Sequence, residues 1–150
     1  MFTKFFHANI VVSNLERSIK FYEQLGFKVV DGPFEMDGND IGKMLGFRYA
    51  NLRAVFMRLG DDPNATMLDV LEFLDPVSKE APYKSLNNLG VARLCFSVDD
   101  VDQAYEKLQK MGVEFVSPPE IKEGDGQRAT MFCFKDPDGT FLEILDFQDI

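Results

Sequence analysis

The chain carries one segment twice. With His7 laid on Arg93, HANIVVSNLERSIKFYEQLGFKVV (residues 7–30) runs without a gap against RLCFSVDDVDQAYEKLQKMGVEFV (residues 93–116). Val12 then meets Val98, Leu15 meets Val101, Gly26 meets Gly112 and Val30 meets Val116. A second register sets MLDVLEF (67–73) on FLEILDF (141–147), so that Asp69 meets Glu143. A repeat of this kind makes each copy one supersecondary unit of the same shape. A duplicated fold brings equivalent positions together around its pseudo-twofold axis. His7, Arg93, Asp69 and Glu143 are therefore the first candidates for a shared site.

Local pattern supplies the shape of each copy. Residues 5–12 read as a strand, and Ser13-Asn14 offers a cap for a helix over 15–25, whose Leu15, Ile19, Tyr22 and Leu25 recur at helical spacing. Gly26 ends that helix, and 27–30 starts the next strand. Residues 31–51 hold four glycines and a proline, which predicts a long loop with room for one helical turn. Residues 52–59 and 66–74 read as strands joined by GDDPNA. The second copy repeats the order. Strand 91–98 leads to a helix capped by Asp99 or Asp100 and ended by Gly112, then to strand 113–116 and a loop, SPPEIKEGDGQ. A hairpin of 129–135 and 140–147 follows across Asp136-Pro137-Asp138-Gly139. Each half is β-α-β-β-β, an α+β pattern, with modules 1–75 and 90–150 and a linker at 76–89.

Composition excludes some classes of function. At 45% hydrophobic, the 150 residues can bury a core. A net charge of −9 disfavours nucleic acid and anionic membrane surfaces as partners. No apolar run approaches the roughly 18 residues of a membrane span, and the start, MFTKFFHANIVV, lacks the features of a signal peptide. Cys95 and Cys133 make no CxxC and sit in apolar strand-like runs, which reads as buried, reduced thiols in a cytoplasmic protein. Phe2, Phe5 and Phe6 read as core or dimer packing. There is one histidine, so any imidazole chemistry within one chain rests on His7.

Three segments, HANIVVSNLERSIKFYEQLGF, FSVDDVDQAYEKLQKMGVEF and FKDPDGTFLEILDF, resemble the vicinal oxygen chelate superfamily, which includes glyoxalase I, methylmalonyl-CoA epimerase, extradiol dioxygenases and bleomycin-resistance proteins. The resemblance implies a glyoxalase-like fold, in which two tandem βαβββ modules form a curled mixed sheet around a cleft. It implies a divalent metal (Zn, Ni, Co, Mn or Fe) held from the first and last strands of each module. Carried over, those positions are His7, Asp69, Arg93 and Glu143. His7 and Glu143 match the family's residue types, and Asp69 is one methylene shorter than the usual glutamate. Arg93 departs, because a guanidinium stays protonated and has no lone pair to give a metal.

Each position has a plainer reading: a structural His7, a strand-end Asp69, a surface Glu143, an outward-swung Arg93. Glu72 competes with Asp69 on the opposite face of one strand. The repeat register favours Asp69 and leaves Glu72 and Asp146 to solvent. Arg53, Arg58 and Arg128 read as surface charges, and Gly124-Asp125-Gly126 as a flexible loop. Two functions stay open. In one, a metal on His7, Asp69 and Glu143 supports isomerase, epimerase or lyase chemistry through an enediolate or enolate, with Glu143 or Asp69 moving the proton. In the other, a resistance-type protein binds a small molecule without metal, anchored by Arg93. A dioxygenase reading lacks the second histidine it would need. Either leading reading expects a small-molecule ligand and a homodimer.

Overall fold

In the computed structural model, which describes residues 1–150, each copy of the repeat builds its own four-stranded mixed sheet. The chain divides into two units, Met1–Glu80 and Ala81–Ile150. The division falls inside segment 76–89, which holds no helix or strand.

The first unit runs β1 (His7–Val11), α1 (Leu15–Gln24), β2 (Phe27–Gly38), α2 (Asn39–Met44), β3 (Ala50–Leu59) and β4 (Met67–Asp75). Its strand order is β1-β4-β3-β2, with β1 parallel to β4 and the other pairs antiparallel. The Asn14 side chain accepts a hydrogen bond from Arg17 N at 2.8 Å and caps α1, a contact that stabilises a helix by about 1 kcal/mol. Leu15, Ser18 and Tyr22 on α1 are fully buried, and the helix packs on β2 and β4. Tyr22 meets Phe27 edge-on at 5.6 Å. Burying a side chain the size of Leu15 contributes about 2 kcal/mol, so its truncation to alanine would be among the most damaging changes in this layer.

The second unit runs β5 (Leu94–Phe96), α3 (Val101–Met111), β6 (Glu120–Gly124), β7 (Gln127–Lys135) and β8 (Phe141–Asp149), in sheet order β5-β8-β7-β6. Asp100 caps α3 by accepting from Gln103 N at 2.9 Å, and Gly112 closes it in the left-handed region at φ +71. Tyr105 of α3 stacks on Phe115 and Phe132 at 4.7 and 5.3 Å. At the β7–β8 turn, Asp136 is buried and its Oδ1 accepts from Asp138 N and Thr140 N at 2.9 and 2.8 Å.

Several elements differ from the sequence expectation. Residues 31–38 are not loop; they extend β2. Gly32 and Pro33 are tolerated there because β2 is an edge strand, and its pairing to β3 slips on either side of Asp31. In the second unit, 113–116 forms only a single bridge, Phe115 to Phe134, and β5 is three residues long. The segment read as a flexible loop is a hairpin: Gly124 pairs with Gln127 across Asp125-Gly126, both at positive φ (54 and 76). Two consecutive left-handed residues are the demand of a type I′ turn, which Asp-Gly meets. Phe2, Phe5 and Phe6 are exposed and belong to no core. No helix is long and apolar enough to cross a membrane.

Candidate functional site

Residues paired across neighbouring strands share a sheet face. In the first unit, Asn9 of β1 and Phe56 of β3 both pair with Asp69 of β4. These three form a row, and His7, two residues before Asn9, lies on the same face. In the second unit, Cys95 of β5 and Cys133 of β7 both pair with Glu143 of β8. Arg93, two residues before Cys95, lies on that face. The repeat therefore yields two rows of the same design. One holds His7, Asn9, Asp69 and Phe56; the other holds Arg93, Cys95, Glu143 and Cys133.

Both central carboxylates are buried: Asp69 is 8% exposed and Glu143 4%. A carboxylate taken from water needs a donor or a cation. The two units meet that need differently. Asp69 Oδ2 accepts from Asn9 Nδ2 at 2.9 Å, while His7 Nε2 stands 3.7 Å from it, too far for a hydrogen bond. The His7 ring is held by Phe6 and Phe56 at 5.4 and 5.7 Å between centroids. Glu143 Oε2 instead accepts a 2.8 Å charge-assisted bond from Arg93 Nε. That bond holds the Arg93 guanidinium above its ordinary pKa.

Each row also contains buried polar atoms with no partner: His7 Nδ1 and Asp69 Oδ1 in the first unit, Glu143 Oε1 in the second. An unmet buried acceptor costs about 1–3 kcal/mol, so these atoms mark places where a ligand could add a bond. The thiols beside Glu143 are held neutral. Burial first, then the Glu143 carboxylate, pushes Cys95 up to about 11, and Cys133 is raised by the same two causes.

The metal that the family resemblance implies can be tested against these donors. The first unit offers an imidazole and a carboxylate, the right chemistry for a first-row divalent ion. The second offers a carboxylate already bonded to a guanidinium that cannot coordinate. Within neither unit do three His, Cys, Asp or Glu side chains gather closely enough to hold a metal ion. Arg93 cannot serve as a ligand at the position the resemblance gives it.

Within its own unit, His7 lies beside Asp69, and within its own unit Arg93 lies beside Glu143. Asn9, Cys95 and Cys133 were missed. The signal was present for the first two, since the repeat sets Asn9 on Cys95, two residues beyond His7 and Arg93, where strand alternation returns a side chain to the same face.

Three other sequence readings are corrected. Cys95 is exposed and only Cys133 is buried; both are free thiols. Glu72 does lie on the face opposite Asp69, but it does not face solvent. Its side chain is 15% exposed and its Oε2 accepts from Leu15 N at 3.2 Å, at the start of α1. Arg53 is a half-buried hub. It pairs with Glu16 of α1, with Glu35 of β2 at 3.7 Å and with Glu72 of β4 at 3.6 Å.

The Glyoxalase/Bleomycin resistance protein/Dioxygenase superfamily model matches residues 4–144. The chain belongs to this superfamily. A glyoxalase family protein from Bacillus cereus has the same fold, with a TM-score of 0.84 at 21% identity over 97% of this chain and 94% of that one. The trypanothione-dependent glyoxalase I of Leishmania major superposes with a TM-score of 0.62 at 26% identity, covering 96% and 86% of the two chains. A lactoylglutathione lyase of Schizosaccharomyces pombe is 26% identical over 95% of this chain but only 45% of its own length. The chain thus spans about half of that curated relative.

Proposed function

We propose that the chain is a small-molecule-binding member of the superfamily in which Arg93, and not a metal, receives the ligand through the second unit. The observation that carries this reading is the 2.8 Å bond between Arg93 Nε and the buried Glu143. The guanidinium supplies the positive charge that a buried carboxylate requires, and its Nη groups remain available to an anion. The test is a thermal-shift titration with propionate, propyl phosphate and propionamide. The anions should raise the melting temperature of the wild type and leave Arg93→Gln unchanged, while the amide should affect neither. Equal shifts in wild type and variant would refute the anchor.

A second reading, a metal-assisted lyase or isomerase, is favoured by one observation. His7 Nε2 and Asp69 Oδ2 stand 3.7 Å apart without bonding, each side chain with a further buried atom unpartnered. A divalent ion there would supply Lewis-acid chemistry, and the lyase and glyoxalase relatives lend it weight. Near-stoichiometric Zn, Ni, Co, Mn or Fe in protein purified without chelator, lost in His7→Ala, would support it. Absence of uptake would remove it. Assembly as a homodimer in the cytoplasm belongs to either proposal, and light scattering would check the assembly.

A further inference from the structure

We infer that the second unit's row selects a carboxylate bearing a hydrogen-bond donor on the adjacent carbon, as in a 2-hydroxy or 2-amino acid. This rests on the reading of Arg93 as the anchor and names the ligand class it would serve. Arg93 spends one donor, Nε, on Glu143 Oε2 and has no other acidic partner. The edge of its guanidinium formed by the two Nη groups is free, and two parallel N–H groups in a plane match the two oxygens of a carboxylate. Arg93 is 38% exposed along its side chain, so that edge is reachable.

A bare carboxylate would satisfy Arg93 and leave the other vacancy untouched. Glu143 Oε1 is a buried acceptor without a hydrogen-bond partner. Its row neighbours cannot fill the place well. Cys95 and Cys133 sit beside it across the strands, and a thiol is only a weak donor. The missing partner is an O–H or N–H. The two open positions belong to side chains already bonded to each other, so one small molecule can reach both only if its anion and its donor are close. A hydroxyl or ammonium on the carbon next to the carboxylate meets that condition. A ligand with two anionic groups would not, because the second would face the Glu143 carboxylate. The first unit lacks this combination, since His7 stands where the second unit has a guanidinium.

The test compares L-lactate, L-alanine and propionate, which share a three-carbon carboxylate and differ in the donor. Amide chemical-shift titrations of the ¹⁵N-labelled chain read each Kd; molecules this small reach millimolar values at best. Lactate or alanine is expected to bind at least tenfold more tightly than propionate, because a site built around a buried acceptor rejects the analogue that leaves it unmet. Lactate above alanine, or the reverse, identifies a neutral or a charged donor. Glu143→Gln should erase the tenfold preference and keep propionate binding. Arg93→Gln should abolish binding of all three.

Equal affinities for the three acids in the wild type would overturn the inference and leave the Arg93 anchor standing. No saturable shift with any of them would overturn both. The comparison in the wild type needs no variant, so it stands even if a substitution at Glu143 prevents folding.

Discussion

The two units solve one problem in two ways. Each buries a carboxylate at the same place in its sheet, Asp69 in β4 and Glu143 in β8. The first unit answers with a neutral amide at 2.9 Å and a histidine that stops short at 3.7 Å. The second answers with a full positive charge at 2.8 Å. The first arrangement is open, because its histidine and carboxylate each keep an unused atom. The second engages Glu143 Oε2 with the guanidinium and leaves only Oε1 without a partner. The two copies share a scaffold, while the residue types along the row, above all Arg93 in place of His7, differ in the chemistry they can offer.

Removing the cation should break the comparison most sharply. Arg93→Met leaves Glu143 buried without its charge partner and is expected to cost about 3 kcal/mol, the low end for a buried pair because Arg93 is partly exposed. The double substitution Arg93→Met with Glu143→Met should recover most of that loss. His7→Ala in the first unit should cost about 1 kcal/mol or less, because Asn9 still bonds Asp69 and no ion pair is lost. Urea unfolding of the wild type and the three variants measures these values. A His7→Ala loss as large as that of Arg93→Met would show that the two units are not asymmetric in this sense.

How far this asymmetry could be read beforehand depends on the residue. The repeat register placed His7 on Arg93 and Asp69 on Glu143, and these are the residues that lie beside each other within each unit. Strand alternation put Glu72 on the other face, but not against α1, because that contact depends on how the helix packs. The extension of β2 through Gly32 and Pro33 was hidden, since edge strands tolerate residues that read as loop. The Asp125-Gly126 hairpin carries a turn signal, but its flanking strand, EIKEG, is fully exposed and shows no apolar alternation to mark it as a strand. The bond lengths that separate an open pair from a closed one were beyond any pattern, since they depend on side-chain geometry at the tenth of an ångström.

Thiol reactivity sharpens the comparison from the second unit's side. Cys95 is exposed, yet its pKa is pushed up to about 11 from 9.0 by burial of the sulfur and by Glu143. The raised value leaves the thiol protonated at pH 8, so iodoacetamide should modify it roughly tenfold more slowly than an unperturbed thiol, allowing for the greater nucleophilicity of a more basic thiolate. Glu143→Gln should speed the reaction. An unchanged rate in that variant would separate Cys95 from the Glu143 carboxylate.

The smallest effect lies away from both rows. Arg53 holds Glu16 below its ordinary pKa of 4.5, through the side-chain hydrogen bond first. A carboxylate depressed on folding contributes stability above its unfolded pKa and loses it as pH falls through the folded value. The melting temperatures of wild type and Glu16→Gln should therefore differ slightly at neutral pH and converge in acid. The pair is solvent-exposed, and added salt should shrink the difference.

The most direct measurement is metal content per subunit, by inductively coupled plasma mass spectrometry, for the wild type, Glu143→Gln and Arg93→His, each purified without chelator and then offered Zn, Ni and Co. If Arg93 keeps Glu143 out of metal ligation, Glu143→Gln will carry as much metal as the wild type, and Arg93→His will take up more. Stoichiometric metal in the wild type that Glu143→Gln abolishes would contradict the account, because Glu143 would then be a ligand in spite of its arginine.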